Sequence, residues 1–156
     1  MLSLKIGGKA RKVDITNPLG QGGEACVYDL GDGTVLKLYR RADDPSYAQD
    51  HAAQAAATKR LDTHQRKLRE FPRGLPSQVV APLDLATDST GRVVGYTMPF
   101  VRGAEVLARY GQPRTRQTVP HNDALTILRT LRSAVAAVHA HPSGVVIGDF
   151  NSLNVM

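Results

Sequence analysis

A chain of 156 residues with 42% hydrophobic and 22% charged side chains has a globular composition, not that of a disordered, collagen-like or fibrous polypeptide. Its single cysteine excludes an internal disulfide framework and a cysteine-cluster metal site, and no apolar run approaches the ~18 residues of a membrane span. The 20 Lys+Arg against 14 Asp+Glu leave a formal charge of +6, but the basic residues are scattered and lack interleaved aromatics, which favours solvated helix faces over a polynucleotide groove.

The polar N-terminus (Lys5, Lys9, Arg11, Lys12, Asp14) is no signal peptide, so the expectation is a soluble cytoplasmic domain with no membrane partner. Leu4-Lys5-Ile6 alternates as a short strand, and Val13 to Leu19 carries β character into the glycine cluster Gly20-Gln21-Gly22-Gly23. Cys26–Leu30 and Thr34–Tyr39 flank Gly31-Asp32-Gly33, a hairpin signal. Asp44-Pro45 predicts a helix start, and the Ala- and Gln-rich stretch to Leu68 is helical by propensity with a thin apolar face. Val79–Leu85 and Arg92–Met98 form a second hairpin pattern around Asp88-Ser89-Thr90-Gly91. Gly111 to Pro120 reads as a loop. The clearest helix follows, with Asn122 as N-cap and an apolar stripe of Ala124, Ile127, Leu128, Leu131, Ala134, Val135 and Val138. Val145-Val146-Ile147 reads as a short strand running into Gly148-Asp149. This order of elements predicts an α+β fold.

The glycine cluster is followed by a hairpin and lacks a terminal Gly-Lys-Ser/Thr, which excludes both the Walker form and the dinucleotide form of phosphate loop. What remains is a glycine flap between antiparallel strands, whose amides cover phosphates and whose partner is a lysine further along the sheet. Lys37 between apolar neighbours fits that requirement; an ordinary surface hairpin with an exposed lysine is the competing reading. Near the end of the sequence Asp149 stands five residues before Asn154. A carboxylate there can accept a hydroxyl proton, the amide oxygen of Asn154 can bind a hard cation, and Asn151 can donate to a phosphate; a plain turn is the alternative.

Taken together and in this order, the motifs resemble a eukaryotic-type Ser/Thr protein kinase domain, most closely its bacterial YegI-like branch. Leu19-Gly20-Gln21-Gly22-Gly23-Glu24-Ala25-Cys26-Val27-Tyr28 resembles the glycine-rich loop, with Ala25 where a third glycine usually stands. Val35-Leu36-Lys37 resembles the strand of the phosphate-pairing lysine. Met98-Pro99-Phe100-Val101 resembles the hinge, with Met98 as gatekeeper and Pro99 and Val101 offering backbone groups to adenine. Ile147 to Met156 resembles the catalytic loop, with Asp149 as base, Asn151 supporting the γ-phosphate, Asn154 on the metal and Met156 beneath the adenine.

The resemblance implies ATP and Mg²⁺ as cofactors, a protein Ser/Thr hydroxyl as acceptor, and a kinase-like fold. It implies an antiparallel β N-lobe with hinge over 1–103 and the start of a helical C-lobe over 104–156. Ile147-Gly148 replaces the family's His-Arg, and no glutamate stands mid-helix to pair Lys37, which leaves Gln65, Asp62 or Glu70 as its partner. The family's Asp-Phe-Gly segment has no counterpart up to Met156. The sequence is therefore expected to be the N-terminal portion of such a domain, inactive or weak by itself, or a pseudokinase-like binding module. An apolar stripe as wide as that of the last helix then predicts exposed apolar surface and self-association.

Overall fold

The computed structural model describes residues 1–156. Two units divide the chain: Met1–Phe71 with Val80–Phe100, and Pro72–Val79 with Val101–Met156. The fold is α+β, with one antiparallel sheet of seven strands and few helices.

The first unit holds the whole sheet. Its strands are β1 (Leu2–Ile6), β2 (Lys9–Val13), β3 (Gly20–Gln21), β4 (Ala25–Asp29), β5 (Thr34–Tyr39), β6 (Leu85–Thr87) and β7 (Val93–Pro99), in the spatial order β2-β1-β6-β7-β5-β4-β3. Gly7 and Gly8, with φ of 55° and 82°, make the two-residue turn that pairs Ile6 with Lys9. Side chains rarely adopt two successive positive φ values, so the Gly-Gly dipeptide fixes this register. The β4–β5 hairpin forms as the Gly-Asp-Gly signal predicts, with Asp32 accepting from the amide and hydroxyl of Thr34. Those bonds and Arg11 hold the Asp32 carboxyl down at about 2.

One face of the sheet buries Leu4, Val13, Cys26, Tyr28, Leu36, Ala86 and Val94; burial pushes the Tyr28 hydroxyl up to about 12. The other face, carrying Ala25, Tyr39 and Val93, packs against Leu61 and Leu68 from the helical segment. Between β6 and β7 the register slips, with Ala86 opposite Gly95 and Thr87 opposite Val93. The extra residue, Val94, therefore falls in one core cluster while Val93 falls in the other. At that slip Gly95 lies so close to β5 that a Cβ would sit 2.3 Å from the carbonyl oxygen of Lys37.

Several boundaries differ from expectation. Residues 14–18 form a loop, since β2 ends at Val13. Asp44 caps only a single 3-10 turn, Pro45–Tyr47, and the helix α1 runs His51–Lys67 with Asp50 as its N-cap, accepting from the amide of Ala53. Two aspartate caps compete here, and the proline-led one closes after three residues.

In the second unit the expected loop after Gly111 contains helical turns, α2 (Leu107–Tyr110) and α3 (Pro113–Arg116). The long helix α4 (His121–His139) starts from Pro120, with Asn122 inside it and Asp123 in its first turn. The proline ring carries no hydrogen-bond acceptor, so no side-chain cap is formed. Val145–Ile147 is not a strand, because this unit offers no neighbouring strand to pair with it. His141 reaches the carbonyl of Arg73 at 2.9 Å, tying Pro72–Val79 to the end of α4. Of the apolar stripe only Val138 is buried, and Leu128 is 58% exposed. Beside it an open apolar groove of about 450 Å³ is lined by Leu128, Leu131, Val135 and Phe150, among others. No helix is long and apolar enough to cross a membrane.

Candidate functional site

In the first unit the sheet register sets the relation among the predicted residues. Gly20 pairs with Val27, Val27 with Lys37, and Lys37 with Tyr96. Two residues along, Val35 pairs with Met98. Register partners share a face and side chains alternate with period two, so Val27, Val35, Lys37 and Met98 all belong to the face that carries Ala25 and Tyr39. Val35 and Ala25 are buried, Val27, Lys37 and Met98 half-buried, and Pro99 exposed at the end of β7. Leu19 is exposed and donates its amide to Val27 at 2.8 Å; Gln21 is exposed opposite Cys26.

The ammonium of Lys37 lies over the Tyr96 ring, 6.0 Å from its centroid, and forms no ion pair. None of its three expected partners serves it. Gln65 exchanges hydrogen bonds with the backbone of Val93, donating to its carbonyl and accepting from its amide, both at 2.8 Å. Asp62 pairs with Arg92, and Glu70 with Arg66 at 3.8 Å. Towards this face α1 instead turns an imidazole and a guanidinium. His64 stacks on Tyr39 with centroids 4.6 Å apart, and Arg60 pairs with Glu24 at 3.0 Å. Burial, then Lys67 and Arg60, holds the His64 imidazole below its ordinary value. Arg60 Nη1 and His64 Nδ1 are buried without a hydrogen-bond partner.

The glycine hairpin is tied down at its tip. Gly22 donates its amide to Ala25 at 2.9 Å, closing the turn. The carbonyl of Gly22 accepts from Arg40 Nε at 3.0 Å, that of Gly23 from the Tyr47 hydroxyl, and that of Glu24 from the Arg40 amide at 2.9 Å. Sequence reasoning does not find these anchors: Tyr47 and Arg40 reach carbonyls 24 and 18 residues away, and a carbonyl carries no residue signature.

In the second unit the three polar residues of the last loop form one network. Asn151 donates to Asp149 Oδ1 at 2.6 Å, and Asn154 Nδ2 donates to Asp149 Oδ2 at 2.8 Å and to its carbonyl at 3.0 Å. Asn151 Oδ1 accepts from the amides of Leu153 and Asn154, which folds the loop about it. Both carboxylate oxygens are thus oriented by amides, while Asn154 Oδ1 accepts no hydrogen bond. Leu107 and Ala108 donate to the carbonyls of Val155 and Ser152, anchoring the loop to the start of α2. Asp149, Asn151 and Asn154 are all exposed, as are Val101 and Met156 of the same unit. The recess of about 240 Å³ beside α1, lined by Arg41, Asp43, Thr58, Leu61, Asp88 and Arg92, contains none of the predicted site residues.

No protein-family model matches the chain, and no curated protein matches it.

Proposed function

We propose that the chain is a protein-kinase-like domain that binds ATP, with the glycine hairpin over the phosphates and Lys37 neutralising their oxygens. The supporting observation is the register that sets Val27, Lys37 and Met98 on one sheet face next to a glycine hairpin with free amides. In this reading Val27, Val35, Met98 and Pro99 contact the base. Asp149, held by two amides, accepts the proton of a Ser/Thr hydroxyl. Asn151 supports the γ-phosphate with its second N–H. Mg²⁺ would take Asn154 Oδ1 and nucleotide oxygens and would neutralise phosphate charge; the open oxygen and hard donor suit that ion, which commonly keeps several waters. Calorimetric titration with Mg-ATP tests the proposal. Lys37→Met is expected to weaken binding at least tenfold, and unchanged binding removes the role of Lys37.

A second reading, nucleotide binding without phosphoryl transfer, is favoured by the absence of any acid beside Lys37. On that reading the purified chain shows no autophosphorylation with Mg-ATP. Phosphate incorporation that disappears in Asp149→Ala would overturn it.

A further inference from the structure

We propose that Arg40, Tyr47 and Arg60 form a clamp that sets the tip of the glycine hairpin before a ligand arrives, making them positioning residues for a polyphosphate. The inference rests on the nucleotide reading above and names the device that would prepare its phosphate site.

The tip is poor in packing of its own. A Cβ added at Gly20 or Gly23 would meet nothing within 4 Å, and at Gly22 only the Ala25 carbonyl at 3.6 Å. Gly22-Gly23 would therefore sample many conformations if left alone, since glycine has the widest backbone freedom. Three side chains from outside the hairpin remove that freedom. Tyr47 is buried, and the Arg40 guanidinium is itself gripped by Asp44, with Nη1 3.2 and 3.1 Å from the two carboxylate oxygens. The anchors are thus fixed before they hold the tip.

The choice of anchored atoms is what points to an anion. The amides of Gly23 and Glu24 have no internal partner, whereas the carbonyls of Gly22 and Gly23 do. In a trans peptide the carbonyl and the following N–H share a plane and point in opposite directions. Holding the Gly22 carbonyl on Arg40 therefore turns the Gly23 N–H away from Arg40, and holding the Gly23 carbonyl on Tyr47 does the same for the Glu24 N–H. Two adjacent donors are left unused and available to phosphate oxygens. The third anchor removes an obstacle: Arg60 neutralises the Glu24 carboxylate, which would otherwise repel an approaching anion.

Tyr47→Phe keeps the buried ring and deletes only the hydroxyl. In wild type the ¹⁵N order parameters of Gly22 to Glu24 are expected near the rigid value of about 0.85, and in Tyr47→Phe below about 0.6. Mg-ATP is expected to bind Tyr47→Phe about tenfold more weakly, with adenosine affinity unchanged. Glu24→Gln, on an exposed carboxylate remote from the core, is expected to lower the same order parameters. A tip already mobile in wild type, order parameters unchanged in both variants, or equal weakening of ATP and adenosine each overturns the clamp. ATP binding to wild type that Tyr47→Phe leaves intact sinks the clamp alone. No nucleotide binding to wild type, with a rigid tip, sinks the nucleotide reading and with it the positioning role.

Discussion

The two long helices invert what their sequences suggest. Helix α4 carries a wide apolar stripe at helical spacing, yet within its unit only Val138 is buried. Helix α1 has a thin apolar face of alanines and one leucine, yet Ala57 and Leu61 are buried and Leu68, just beyond the helix, packs with Leu61. The polar side chains of α1 account for much of the difference. Gln65 serves both backbone groups of Val93, His64 stacks on Tyr39, and Arg60 reaches Glu24. An apolar stripe measures how much cover a helix demands; what the helix obtains depends on the surface opposite it. Every other buried apolar side chain of the protein likewise lies in the sheet unit.

The sharpest test of this contrast uses glycine. Gly95→Ala places a methyl 2.3 Å from the Lys37 carbonyl oxygen and 3.1 Å from Leu38 Cα, both backbone atoms that cannot turn aside. It is expected to cost about 4 kcal/mol or more in urea unfolding. Gly148→Ala, with nothing within 4 Å, is expected to stay within about 0.5 kcal/mol. Equal effects would mean that β7 is not held against β5 as described.

A smaller difference is expected between leucines. Leu36 is 0% exposed, and Leu36→Ala should cost about 2–5 kcal/mol, whereas Leu128→Ala should cost less than about 1 kcal/mol. A loss at Leu128 as large as at Leu36 would show that the α4 stripe is covered in solution, for instance by a second copy, and sedimentation at several concentrations would then identify self-association.

The smallest effect is on pH dependence. His64 is faced by Lys67, Arg60, Glu24 and Lys37 and has a folded pKa below the ordinary 6.5. Below 6.5 the unfolded chain binds a proton that the folded chain resists, so stability should fall as pH drops through 6.5 and level off below the folded value. Chemical denaturation at pH 7.5 and 5.5 should show a smaller decrease in His64→Gln than in wild type; an identical decrease would remove His64 as the cause.

Local chemistry made much of the sheet legible. The hairpin around Gly31-Asp32-Gly33 and the turn at Asp88–Gly91 follow from short-range needs, positive φ at glycine and carboxylates that accept from nearby amides. Asp149, Asn151 and Asn154 stand within six residues of one another, and their side chains form one hydrogen-bonded network. The strand expected at Val145–Ile147 failed because strand propensity has no effect without a neighbour to accept its ladder. The partner of Lys37 was illegible for a related reason. Gln65, Asp62 and Glu70 were each plausible by type and spacing, and each was claimed by a group elsewhere in the first unit or on its own helix.

What the sequence determined alone is therefore local: where the chain turns, which segments alternate, and which helix carries an apolar stripe, because those depend on residues within a few positions of one another. Tertiary structure decided which donor meets which acceptor. The Gln65–Val93 exchange, the Tyr47 anchor on Gly23, the Glu24–Arg60 pair and the lysine left without an acid all depend on distances between residues more than twenty positions apart. Each polar group can be satisfied only by a neighbour that chain topology brings within hydrogen-bond reach, and that proximity is not written in any one segment.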